Sequence, residues 1–262
     1  MRRAITVLLL IVTSLRAAET VPLPRAHAHN DYEHTRPLLD ALDRGFCSVE
    51  ADVYLIDGAL LVAHDRKDVK PERTLAALYL APLLERVKRN GGRVYRGGPT
   101  ITLLVDFKSE AVATYAALHK EIERYPEMLT TFRGERAEQG AVTIIISGNR
   151  PKDEMAAQPV RYAAIDGRTA DLDTNPSVAL VPLISDNWQK LFAWRWEGTM
   201  PDDQRAVLRA WIDRAHAQGR KVRFWNTSDR PDAWAMLLEA GVDVIGTDDL
   251  VGLQRFLAAR QR

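Results

Sequence analysis

Glu50 and Asp52 stand two residues apart in the run Ser48-Val-Glu-Ala-Asp-Val-Tyr54. If that run is a strand, residues two apart face the same side, so Val49, Ala51 and Val53 point one way and the two carboxylates the other. Two carboxylates side by side in a confined interior repel unless a cation or a proton lies between them. A third carboxylate, Asp106, ends the apolar run Ile101-Thr-Leu-Leu-Val, and Asn30 adds an amide oxygen. Asn30, Glu50, Asp52 and Asp106 together are an all-oxygen donor set, suited to a hard cation, Ca²⁺ or Mg²⁺. Zinc would call for more imidazole or thiolate at the same point. The plain alternative is that these carboxylates are bonded to neighbouring Lys and Arg.

His29 and His64 flank the carboxylates in sequence. Imidazole titrates near neutral pH, so one such ring can take a proton from a nucleophile while the other protonates a leaving oxygen. Lys108, two residues after Asp106, can neutralise anionic charge, and Arg36 is a weaker candidate for the same work. His27 reads as a group lining the interior behind His29, His34 as loop surface, and His119 and His216 as solvent-facing positions on helices. Cys47 is the only cysteine. It excludes an internal disulfide and reads as a small buried hydrophobe.

Eight apolar runs can carry these groups: residues 25–29, 48–54, 101–107, 142–147, 161–166, 179–185, 221–226 and 242–247. Most are nearly continuous in apolar residues, as strands buried on both faces are, which means a parallel sheet. Helical patterns lie between them at 37–44, 74–88, 111–124, 202–218, 231–239 and 250–259. Strict alternation of this kind predicts an α/β fold, a single closed (β/α)₈ TIM barrel. A doubly wound open sheet is the alternative, but its Gly-rich turn after the first strand is missing. Barrel enzymes place their active groups at the carboxyl ends of the strands. Those ends here are polar almost throughout: His29-Asn30, Glu50 and Asp52, Asp106 and Lys108, Ser147 and Asn149, Asp166, Ser185-Asp186, Trp225-Asn226 and Asp248-Asp249. Asp57-Gly58 between apolar runs predicts a hairpin that carries His64 back over the barrel mouth.

Residues 1–18 hold Arg2 and Arg3, an apolar stretch over 4–15, then Ala17 and Ala18. That order predicts a secretory signal and an exported protein, with one barrel domain over 19–262. Lys and Arg number 36 against 35 Asp and Glu. Such a balance offers no long-range field for nucleic acid, which is excluded as a partner. The segment 187–196 holds Trp188, Phe192, Trp194 and Trp196. Trp188 and Phe192, four apart, either pack a short helix onto the barrel or join an exposed loop. Trp194 and Trp196, alternating around Arg195, are expected to be exposed and to wall the substrate pocket. There they would stack on a head group or wedge transiently into a membrane surface. Trp225 and Asn149 are further substrate-binding candidates, and a monomer is expected.

Taken in order, these motifs resemble the superfamily that unites phosphatidylinositol-specific phospholipases C with glycerophosphodiester phosphodiesterases. Ala28-His29-Asn30-Asp31-Tyr32 is similar to the Ser-His-Asn-x-Tyr of metal-dependent phospholipases, and departs from the His-Arg-Gly of the glycerophosphodiesterases. Glu50, Asp52, Gly58 and His64-Asp65 match the second motif. Asp106-Phe107-Lys108 matches an acidic-x-Lys motif, with Asp where Glu is commoner. Trp225-Asn-Thr followed by Gly241-Val-Asp-Val-Ile-Gly-Thr-Asp248 resembles the glycerophosphodiesterase close. His27 to Tyr32 and Thr74-Leu-x-x-Leu-Tyr79 look most like an uncharacterised branch that includes the fungal altered-inheritance-of-mitochondria proteins. The resemblance implies a metal-dependent phosphoric diester hydrolase acting on a small phosphodiester or phospholipid head group. In it His29 contacts the phosphate or activates the nucleophile, and His64 protonates the leaving alcohol. Water attack and attack by a neighbouring hydroxyl through a cyclic phosphate are both open. An inactive binding barrel would need a missing catalytic group. A glycosidase would usually set its two carboxylates on different strands.

Overall fold

The computed structural model describes residues 20–260; the expected export signal lies outside them. Eight parallel strands close on themselves. They are β1 (Leu23–Ala28), β2 (Phe46–Ile56), β4 (Ile101–Phe107), β7 (Val142–Gly148), β9 (Ala163–Gly167), β10 (Leu183–Asn187), β11 (Lys221–Trp225) and β12 (Val244–Thr247). Each pairs with the next, and β1 pairs with both β2 and β12, so the barrel has no free edge. The outward residues of these strands, such as Val49, Ala51, Leu103, Val105, Ile144 and Ile146, are fully buried under the helices. This is why the runs read as continuously apolar.

The predicted hairpin is present. β3 (Ala59–Val62) pairs antiparallel with β2, Ile56 opposite Ala59. Asp57 and Gly58 have φ of 49° and 80°, both in the left-handed region that a two-residue hairpin of this twist requires. The excursion returns His64 to the barrel mouth, against Asp52.

Three elements depart from their expected bounds. The barrel strand expected at 179–185 begins only at Leu183, because Pro182 has no N–H for the ladder. The strand expected at 161–166 is split. β8 (Val160–Arg161) leaves the barrel to pair with β5 (Thr131–Arg133), which also pairs with β6 (Arg136–Glu138). The helix expected over 74–88 opens with a π-turn, Ala76–Leu80, before Ala81–Arg89.

Phe132 of the small sheet packs with Leu104, Ile145, Ala164, Ala179 and Leu183 in a cluster separate from the core beneath the helices. Leu104 and Ile145 stand in register on β4 and β7. By parity they face the lumen, as Asp106 and Ser147 do one pleat further along. Below them a cavity of about 400 Å³ opens at the amino-terminal ends of the strands, lined in part by Thr102, Leu104, Thr143 and Ile145. Leu104→Ala should therefore destabilise the fold by about 2–5 kcal/mol, toward the lower end because neighbours can relax into that cavity. Urea denaturation checks this; a loss well under 1 kcal/mol would mean the lumen cluster is not a packed core.

Candidate active site

Register sets the acidic groups side by side. Asp52 on β2 is level with Asp106 on β4, which is level with Ser147 on β7. Glu50 lies one pleat below Asp52. Glu50, Asp52 and Asp106 each offer an oxygen within 4.8 Å of the others. They open into a cleft of about 190 Å³ that His29, Asn30, His64, Lys108, Arg168, Arg223 and Trp225 also line.

Each carboxylate has a different environment. Glu50 is buried, with Oε2 3.3 Å from both His27 Nε2 and Arg223 Nη2. Burial alone would raise its pKa, but Arg223 and then His27 outweigh that and hold it well below the usual carboxylate range. His27 itself is pushed down to about 4, first by burial and then by Arg223. It is therefore neutral, donating from Nε2 to Glu50 and accepting at Nδ1 from Ser48 Oγ at 2.7 Å. Asp52 is pushed up to about 6 by burial and by the charge of Glu50, with Lys108 pulling the other way. Lys108 Nζ lies 3.0 Å from Asp52 and 3.0 Å from Asp106. Burial opposes its charge, but the two carboxylates more than restore it, so its pKa stands above the usual range.

These residues fit a hard divalent cation. The donors are oxygens, three of them converge, and Asp52 carries a charge that two like neighbours oppose even with Lys108 at hand. Asn30 adds its amide at the rim, its backbone at φ 47°. Lys108 is long and partly exposed, so it can swing toward the cleft.

The two expected acid–base groups line the same cleft. His29 Nδ1 is 2.8 Å from Asp248 Oδ1. Burial would lower the His29 pKa, but the hydrogen bond to Asp248, helped by the charge of Glu50, leaves it raised. With Nδ1 donating to Asp248, Nε2 is the ring atom available to a ligand. His64 stands with Nδ1 3.4 Å from Asp52 Oδ2 and its side chain 56% exposed.

The loop after β1 is fastened from below. Asp31 is fully buried and accepts from Leu38 N and, at 2.9 Å, from the hydroxyl of Tyr79 on the π-turn. Burial pushes the Asp31 carboxyl up to about 6.

Among the expected substrate contacts, Trp225 does line the cleft, with the Arg168 guanidinium 4.7 Å from its ring centroid. Asn149 does not line it; the side chain is exposed and donates to Ser109 O at 2.7 Å. Trp194 and Trp196 are half-buried rather than exposed. They line a separate groove of about 410 Å³ with Leu208 and Met236 of the helices Asp202–Ala217 and Pro231–Ala240. The cause is Trp188, fully buried, whose ring centroid is 4.4 Å from Phe192 and 4.5 Å from Trp196. Arg36 is bonded to Asp40 and Asp43 on the outer surface, and His119 is half-buried between Tyr115 and Tyr162.

Three cleft residues went unassigned from sequence. Arg223 had a signal: Lys221, Arg223 and Trp225 alternate with Val222 and Phe224, so Arg223 shares the inward face with Trp225. Arg168, two residues beyond Asp166, is held by that buried carboxylate at 2.8 Å. Tyr32 was visible only as part of a motif.

A family model described as an AIM6-like phosphodiesterase domain matches residues 16–165. The chain belongs to the AIM6-like phosphodiesterase domain family. A model of the glycerophosphoryl diester phosphodiesterase family also matches residues 221–250 of this AIM6-like chain. Relatives include altered inheritance of mitochondria protein 6 of Eremothecium gossypii, 29% identical over 272 residues, 89% of this chain and 69% of that protein. The homolog from Arthroderma benhamiae is 28% identical over 260 residues, 88% of this chain and 82% of that one. The AIM6-like fold is similar to a glycerophosphodiester phosphodiesterase from Parabacteroides distasonis, with a TM-score of 0.56 at 16% identity, covering 91% of this chain and 98% of that one. At such identity the likeness bears on the fold, a TIM barrel in both.

In this AIM6-like barrel Gly148 follows Ser147 with φ 66°, and a Cβ there would lie 2.5 Å from Asp106 Oδ1 and 2.5 Å from Phe107 O. Gly148→Ala should cost about 1–3 kcal/mol of stability through backbone strain and push Asp106 out of line with Asp52. Calorimetric titration with Mg²⁺ or Ca²⁺ should then show affinity reduced about 10-fold, about 1.4 kcal/mol. Gly58→Ala is the control. A Cβ there meets nothing within 4 Å, so it should strain the hairpin and leave cation affinity unchanged. Equal affinity in both variants would contradict the alignment.

Proposed function

We propose that this chain is a cation-dependent phosphoric diester hydrolase acting on a glycerophosphodiester or a phospholipid head group. The observation that carries the reading is the convergence of Glu50, Asp52 and Asp106 within 4.8 Å, in one cleft with His29 and His64. Asn30 and these three carboxylates would hold the cation. When bound, it supplies positive charge beside a non-bridging phosphate oxygen as negative charge grows there.

The side chains do the proton work. His29 keeps its proton on Nδ1 through Asp248, so Nε2 accepts a proton from the attacking water. His64, on the hairpin side, donates to the leaving alkoxide. Lys108 and Arg168 line the cleft and neutralise phosphate charge. Arg223 and His27 keep Glu50 ionised from beneath. A cleft of about 190 Å³ takes a small head group rather than a whole lipid. Among the described residues no helix is long and apolar enough to cross a membrane. The order of charge, apolar run and small residues at 1–18 supports export as part of the same reading.

Hydrolysis of bis(p-nitrophenyl) phosphate should be abolished by chelator and restored by Ca²⁺ or Mg²⁺. Glu50→Gln should weaken cation binding sharply, since one charge is lost at unchanged shape; full activity of that variant in chelator would remove the cation from the mechanism. The two histidines should separate by leaving group. His64→Ala should slow an alkyl diester by about 10²-fold or more while sparing the nitrophenyl ester, which departs without protonation. His29→Ala should slow both alike, and equal losses for both variants on both substrates would refute the division of roles.

A further inference from the structure

Tyr32 lies 3% exposed at the back of the cleft, and its hydroxyl meets three polar groups at once. It is 2.7 Å from Asn30 Oδ1, 2.7 Å from Asp52 Oδ2 and 3.0 Å from His64 Nδ1. Its ring meets the His64 ring edge to edge, 6.5 Å between centroids and 19° between planes. Its backbone carbonyl is fastened by Arg73 Nη2 at 2.6 Å. We infer that Tyr32 is a positioning residue that fixes the proton of His64 on Nδ1 and thereby aims Nε2 at the leaving group.

Counting protons gives the direction. A phenol has one hydrogen and two lone pairs, while the Asn30 carbonyl oxygen and the Asp52 carboxylate oxygen are acceptors. Whichever of these two oxygens takes the hydroxyl proton, none remains for His64. Nδ1 therefore faces lone pairs only, those of the hydroxyl and of Asp52 Oδ2 at 3.4 Å, and meets them as a donor. A phenol keeps its proton at neutral pH, so this count holds there. In the neutral ring Nε2 is then unprotonated. In the imidazolium it carries the proton that can be given to a leaving oxygen, and the bond at Nδ1 survives the transfer. His29 has the same arrangement with a different partner, Asp248. Both rings thus turn Nε2 to the reaction, one held by a carboxylate and the other by a phenol that joins it to Asp52 and Asn30.

The inference rests on the hydrolase reading for its kinetic consequence but not for its geometry, so two readouts are paired. The first needs no substrate. Nitrogen-15 NMR of labelled wild-type protein, at a pH where the ring is neutral, should show His64 as the Nδ1–H tautomer. Tyr32→Phe, which keeps the ring packing, should move it toward the Nε2–H form usual for free imidazole. The same spectra report whether the variant is folded, and Tyr32→Trp is a second variant lacking the hydroxyl. The second readout is kinetic. Tyr32→Phe should slow an alkyl phosphodiester on the order of 10-fold to 100-fold, part of what a general acid contributes, and change the nitrophenyl diester much less. Added to His64→Ala, Tyr32→Phe should cost little more. Nε2–H in the wild type, or an unchanged tautomer in folded Tyr32→Phe, overturns the positioning role even if hydrolysis is intact. A wild-type enzyme inactive on every diester, with the tautomer as expected, overturns the hydrolase reading instead.

Discussion

Three carboxylates crowded at the end of a barrel lumen are the constraint on which the rest of this molecule turns. Removing one ionised carboxylate from water is costly, and like charges within a few ångströms add to the cost. The fold meets this with two cationic side chains and one neutral hydrogen-bond donor. Arg223 crosses from β11 to Glu50, His27 on β1 donates to the same oxygen, and Lys108 lies between Asp52 and Asp106. Glu50 is over-compensated and stays ionised, whereas Asp52 is under-compensated and its carboxyl is pushed up to about 6. That imbalance makes the upper part of the lumen a place where an added positive charge is stabilised.

The layering of the lumen follows from the same constraint. Apolar side chains, with Leu104, Ile145 and Leu183 at the centre, fill the middle. Glu50 stands level with Leu104 and is paired there with Arg223, while Asp52, Asp106 and Lys108 lie one pleat up, where the cleft admits solvent. The polar groups that line the cleft are held by the elements around the mouth. Asp31, fixed by Tyr79 and Leu38, pins the loop that presents His29, Asn30 and Tyr32. The hairpin of β2 and β3 returns His64 to the same cleft, beside Asp52. Asp248, just past β12, holds His29, so the first and last strands of the barrel meet at one imidazole.

Much of this was legible in the residues because period-two alternation is a local property. The parity of Glu50 and Asp52, the apolar continuity of 101–105 and 142–146, and the positive-φ pair Asp57-Gly58 each report their own geometry. What could not be read depended on partners distant in the chain. Trp194 and Trp196 alternate as exposed residues do, yet the buried Trp188 draws both rings onto the core. Asn149 sits at the right strand end, but its amide is already taken by Ser109 O. Arg161 carries the residue type of a strand start and is instead diverted to the small sheet, where Ala179 O takes its guanidinium. Tyr32 gains its meaning only when Asn30, Asp52 and His64 are brought together from three places in the sequence.

The central claim is that Glu50, Asp52 and Asp106 together hold a divalent cation. Crystals soaked in Mn²⁺ and measured by anomalous scattering test it most directly, because the peak reports position rather than activity. The account requires one peak per chain within coordination distance of an oxygen from each of the three carboxylates, with Lys108 displaced from between Asp52 and Asp106. A soak that leaves Lys108 in place and shows no peak among these residues, or puts its peak elsewhere on the surface, would contradict it.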